Sequence, residues 1–118
     1  MRNEALDEIF DELCDFMKKQ SGLDYRYTRS RRRIFVNLKC CIINNMRRQF
    51  GTTLTEIGRL MDLHHSTIIH HIRDHQYRYK GDVDYAELYD DVNNYILEKD
   101  FNTNNLDQIL VLIKQNFV

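Results

Sequence analysis

A chain of 118 residues with no proline, four glycines and 42% hydrophobic residues is sized for one domain (1–118) around one core, and composed for helices. Its formal net charge of −1 hides a segregation: residues 1–24 hold three basic and seven acidic side chains, residues 25–80 twelve and three, and residues 81–118 two and eight. No apolar run approaches a membrane span and the acidic start is unlike a signal or transit peptide, so a cytoplasmic chain with no membrane partner is expected.

Residues 4–19 place Leu6, Ile9, Phe10, Leu13 and Phe16/Met17 on one helical face, with acid early and Lys18-Lys19 late, the order that suits the helix dipole. Gln20-Ser21-Gly22 ends this helix, and Leu23 to Tyr27 make a short connection with room for one helical turn. Thr28-Arg29-Ser30-Arg31-Arg32-Arg33 is a basic run. Its plain reading is a solvated helix start; its place beside the motif described next favours phosphate contacts. Ile34 to Phe50 is apolar on two faces, Phe35, Leu38, Ile42 and Met46 on one, Val36, Cys40 and Ile43 on the other. Such a helix is a central one, and it ends in Arg47-Arg48 before Gly51. Cys14, Cys40 and Cys41 are an odd count with no C-x-x-C, which favours reduced thiols, and Cys40 and Cys41 read as core filler.

Thr53 to Ile72 reads as two short helices joined by a tight turn, the helix-turn-helix plan. In the first, Leu54, Ile57, Gly58 and Met61 fall at i, i+3, i+4 and i+7. A glycine inside that stripe costs about 1 kcal/mol against alanine, so it predicts close approach of the second helix. Asp62-Leu63-His64 makes the turn, with Leu63 plugged into the core. The second helix starts near His65 or Ser66, carries Ile68, Ile69 and Ile72 inward, and turns His65, Ser66, Thr67, His70 and Arg73 outward or to its N-terminal end. Short polar residues there can meet base edges and phosphates when such a helix enters a major groove.

Thr53-Leu54-Thr55-Glu56-Ile57-Gly58 followed by His65-Ser66-Thr67-Ile68-Ile69-His70 resembles the signature of the C-terminal DNA-binding domain (domain IV) of the bacterial replication initiator DnaA. That family runs Leu-x-x-Ile-Gly and then Gly-Gly-Arg-Asp-His-(Ser/Thr)-Thr-Val-x-His. The turn here is one residue shorter, and Leu63 and His64 stand nearest the family's Arg and Asp. The resemblance covers Phe16 to Ile96 and implies an all-α, multi-helix bundle, of the kind seen in DnaA and the Trp repressor, with a helix-turn-helix over residues 53–79. It implies sequence-preferring binding to double-stranded DNA. His64, His65, Ser66 and Thr67 would contact bases and the first phosphates, and Thr55 a phosphate from the first helix. His70 and Arg73 would extend the footprint. Arg29, Arg31, Arg32 and Arg33 stand at the family's basic loop, which inserts arginine into the minor groove; the family's tightest arginines there lie slightly later, at places that read Asn37 and Lys39 here, and Lys39 with the four arginines would hold the adjacent backbone or groove.

Beyond that motif, Tyr77 to Lys80 continue to Gly81. Asp84-Tyr85-Ala86-Glu87 reads as a capping-box-like start, with Leu88, Val92, Tyr95 and Ile96 as the buried stripe of the next helix. A helical extension at 103–118, with Leu106, Ile109, Leu110, Ile113 and Phe117 on one face, either packs on the domain's own core or offers a homodimer seam.

His71 and His75 stand at i, i+4, but no carboxylate or cysteine completes a metal set, so outward polar residues with one or two packed inside is the favoured reading. There is no G-x-x-x-x-G-K-[ST] loop and no Ser-His-Asp or paired-carboxylate arrangement, so no enzyme, cofactor or metal is expected. A DnaA-like domain without its ATPase would mark an origin, compete with a host initiator or repress transcription, a role that fits a small phage or plasmid protein. The alternative is a protein–protein interaction module that keeps the fold and binds a replication or regulatory protein through its acidic flanks or last helix.

Overall fold

The computed structural model describes residues 4–27 and 32–99. Among them are five α-helices and no strand: α1 (Glu4–Ser21), α2 (Arg33–Phe50), α3 (Leu54–Met61), α4 (His65–Gly81) and α5 (Val83–Glu98), with one 3-10 turn at Tyr25–Tyr27. The chain is all-α there, as its composition predicts. No helix among the described residues is long and apolar enough to cross a membrane. The expected extension at 103–118, its dimer seam, and Arg29 and Arg31 of the basic run lie outside the described residues.

α2 is the central helix and packs against α1, α4 and α5. Leu38, Cys40, Cys41, Ile42 and Ile43 have no exposed surface, so both predicted faces are filled. Asn44 and Asn45 on the same helix are equally buried, which the apolar pattern does not announce. Asn44 Nδ2 donates to the carbonyls of Cys40 at 2.8 Å and His71 at 3.1 Å, so one amide ties α2 to α4. Asn45 Nδ2 donates back to the Cys41 carbonyl at 3.0 Å. Such bonds offset the cost of burying a polar group. Gly51 adopts φ 62° and closes α2 through its N–H to the Met46 carbonyl, the left-handed cap that glycine takes without a Cβ penalty.

α1 lays Leu6, Ile9, Phe10, Leu13, Cys14 and Met17 into the core, one stripe as expected. Its Phe16 stacks on Tyr95 of α5 at 4.2 Å between ring centres. The 3-10 turn is fastened to α1 by Arg26, whose guanidinium binds Asp11 at 3.2 Å, Asp15 at 2.5 Å and Asp24 at 2.8 Å. That bond to Arg26 is the chief reason the Asp24 carboxyl stays below its usual range despite its partial burial.

α4 and α5 meet at a single residue. Asp82 donates its N–H to the Arg78 carbonyl at 2.8 Å, closing α4, while its Oδ1 accepts from the Tyr85 N–H at 3.1 Å, opening α5. The cap of α5 is therefore Asp82 and not the Asp84 of the expected capping box. An Asx cap needs extended backbone, which Asp82 has at φ −128° and ψ 101°, whereas Asp84 is already inside the helix. The buried stripe of α5 also shifts: Tyr85, Tyr89, Val92 and Ile96 are buried, and Leu88 and Tyr95 only half so. Tyr85 is buried because its hydroxyl has partners, His75 Nδ1 at 2.7 Å and Cys40 Sγ at 3.4 Å.

Candidate functional site

The site begins with how α3 is held against the start of α4. Thr53 caps α3, its Oγ1 accepting from the Glu56 N–H at 3.2 Å. Ile57 and Met61 enter the core and Leu54 packs on its edge. The Gly58 carbonyl takes the N–H of Leu63 at 3.1 Å, and that of Asp62 as well, which ends the helix. A Cβ on Gly58 would stand 2.9 Å from the Leu63 carbonyl oxygen, 3.5 Å from Ile68 Cδ1 and 3.8 Å from His65 Cδ2. The close neighbour is thus first the turn backbone, with the side chains of the second helix just behind it.

Asp62 occupies the left-handed region at φ 53°, the one non-glycine residue with positive φ among those described. Aspartate tolerates that region better than most, yet glycine fits it without a Cβ. Asp62→Gly should raise stability by about 0.5–1 kcal/mol, measured as the shift in urea midpoint. An unchanged or lowered midpoint would mean that the aspartate carries a compensating contact.

His64 caps α4. Its Nδ1 accepts from the Ser66 N–H at 3.1 Å and lies 2.9 Å from Ser66 Oγ, while its carbonyl takes the amides of Thr67 at 3.1 Å and Ile68 at 3.2 Å. Ile68 is fully buried, Leu63, Ile69 and Ile72 are half-buried, and His64, His65 and Ser66 are exposed, with Thr67 between. The first turn of α4, like that of α2, holds no acidic residue, whereas α1, α3 and α5 start with Glu4 and Asp7, Glu56, and Asp84. The positive end of the α4 dipole is therefore not neutralised by its own side chains, an arrangement that favours an anion.

The other expected residues divide. His70 and Arg73 are exposed further along α4, and Thr55 is exposed on α3. Lys39 is half-buried on α2, and its charge helps to hold His71 neutral. Arg32 is exposed at the start of α2 and makes no side-chain cap there. Arg33 is committed elsewhere: its guanidinium binds Asp82 at 3.3 Å and Asp84 at 2.9 Å. The expected phosphate ligand thus has carboxylate partners at the α4–α5 joint, a pairing across 49 positions that local charge counting does not reveal.

His71 and His75 point away from this surface, each 6% exposed. Burial first, and nearby positive charge second, push both down to about 4. Among the described residues no group of three or more His, Cys, Asp or Glu is placed to hold a metal ion. The thiols of Cys14, Cys40 and Cys41 are free and buried, and burial raises all three. Comparison of the chain with protein-family models, with curated proteins and with solved structures finds no match.

Proposed function

We propose that this protein binds double-stranded DNA with sequence preference through a helix-turn-helix formed by α3, the turn and α4. The reading goes further, to a domain like the C-terminal domain of DnaA, acting in replication initiation or its control, or in transcription regulation. The observation that carries it is the start of α4, where exposed His64, His65 and Ser66 surround an acid-free helix end braced by the Gly58 contact. Imidazole and hydroxyl groups there can donate to and accept from base edges, and the positive end of the helix dipole suits a phosphate. Thr55 adds a backbone contact from α3, and Arg32 and Lys39 contribute charge from α2.

Selection of bound sequences from random duplexes, followed by titration against salt, tests this. The expected outcome is one enriched motif bound with steep salt dependence. His65→Ala should relax discrimination by about 1–3 kcal/mol at one or two base positions and leave the salt slope nearly unchanged. Full retention of the parent's site preference by a folded His65→Ala protein would move base reading off this helix end.

A second reading has its own observation. A surface cavity of about 290 Å³ between α2 and α5 has Ile34, Leu38 and Leu88 in its wall and Asp84, Glu87 and Asp91 beside them. An apolar wall beside carboxylates suits a basic segment of another protein. Absence of salt-dependent duplex binding would favour that class of function.

A further inference from the structure

Ser66, His70, Arg73, Tyr77 and Lys80 follow one another on α4 at steps of four, three, four and three, which keeps all five within a stripe about 80° wide. All five are exposed. No carboxylate belongs to the stripe; Asp74, the acid of this helix, lies to one side and is bound to Arg78 at 2.7 Å. Among the described residues Arg26, Arg33, Arg59 and Arg78 are each already paired with acid. Arg73 and Lys80 make no ion pair among the described residues. Between them Tyr77 is 79% exposed, the most exposed large hydrophobic residue described. An aromatic ring left in water between two unpaired cations suits a partner that is anionic at repeated intervals and offers an apolar surface between its charges. A nucleic-acid strand has that build, with phosphates alternating with sugars.

We infer that the outer face of α4 tracks one DNA strand well beyond the bases read at its N-terminal end, with Arg73 and Lys80 on phosphates and Tyr77 packed on the deoxyribose between them. This rests on the DNA-binding reading above and adds to it Tyr77, Lys80 and a direction. From Ser66 to Lys80 the helix rises about 21 Å, which matches about six nucleotides along a strand at 3.4 Å each. The site is then asymmetric, since the added contacts lie on the one flank toward which the C-terminal end of α4 points. A tyrosine carries no charge, so its share should be salt-independent, while each cation adds to the salt slope.

The test uses the whole protein and a duplex selected by it, resynthesised with about six extra base pairs on one flank or on the other. Wild type should gain affinity from one flank only. Tyr77→Ala with Lys80→Gln should abolish that gain and leave binding to the short duplex unchanged. Lys80→Gln and Arg73→Gln should each lower the log–log salt slope by about 0.9, which is about threefold less loss of affinity between roughly 50 and 200 mM salt. All three positions are exposed, so thermal midpoints should stay at the parent value. If wild type binds the selected duplex but gains nothing from either flank, or the double variant keeps the gain, the extended track is wrong and the helix-turn-helix reading stands. If wild type shows no salt-dependent duplex binding, both fall together.

Discussion

Acidification from about pH 7.5 to 4.5 should remove roughly 5 kcal/mol of folding stability, a large share of what a small domain has. The cause lies in His71 and His75, both buried and both pushed down to about 4 by that burial. In the unfolded chain a histidine takes up its proton near about 6.5. Above that value neither state binds the proton and the stability is fully present. Below it the unfolded state gains a proton that the folded state refuses, so stability falls by about 1.4 kcal/mol per pH unit for each histidine until the folded pKa is reached. The geometry agrees with the direction. His75 Nδ1 lies 2.7 Å from the Tyr85 hydroxyl, which itself takes the Cys40 thiol at 3.4 Å, so a proton on that nitrogen would force the chain of bonds to reverse. His71 Nδ1 has no hydrogen-bond partner, so a charge there would gain no bond. Urea midpoints at about pH 7.5, 6 and 5 should decline steadily, and His75→Gln should flatten the decline by one proton. A midpoint constant across that range would show that both rings titrate normally and are more open than described.

Gly58→Val should cost about 2–3 kcal/mol and abolish sequence-preferring DNA binding. The first Cβ already meets the Leu63 carbonyl oxygen at 2.9 Å, and that atom belongs to the backbone, so it cannot swing aside. A branched side chain would press on Ile68 and His65 as well, and both belong to the start of α4. Gly58→Ala is the gentler version, since alanine recovers about 1 kcal/mol of helix propensity against the same clash. Thermal unfolding and duplex titration of both variants read the two effects separately. A Gly58→Val protein with the parent's midpoint would mean that the turn has room to yield.

The parts of this fold that were legible in the sequence are those written by local period. Leu6 to Met17, the two faces of α2, and the Ile57-Gly58-Met61 stripe announce themselves because each repeats with the helical turn. The Gly51 cap was legible for the same local reason. What period does not show is how a buried polar group finds its partner. Asn44 and Asn45 look like solvent residues until the His71 and Cys41 carbonyls are placed beside them, and Tyr85 looks amphipathic until His75 arrives from the preceding helix. Asp84 reads as the cap of α5 on paper, and backbone conformation gives that place to Asp82 instead. Within the candidate site, the exposure of His65, Ser66, His70 and Arg73 was legible and Thr67 is less exposed than expected, while His64 as the acceptor that caps α4 was not legible, because histidine is an uncommon cap. Arg33 reads as one more free cation until a helix 49 positions away brings it acid.

The joint at Asp82 has a consequence for how the molecule meets a charged surface. One residue ends α4 and starts α5, and Asn37 Nδ2 at 3.1 Å and Arg33 brace the same carboxylate from α2. Burial of that carboxylate works against its charge, but the Tyr85 amide, Asn37 and Arg33 outweigh it and keep it ionised below its usual range. With no slack at the joint, the acid-rich α5 cannot fold back across the cationic outer face of α4 and cancel it. The acids of α5 and the cations of α4 thus sit on adjoining helices joined at one residue, in a chain whose net charge is only −1. If the protein binds DNA as proposed, added salt should slow its arrival as well as loosen the complex.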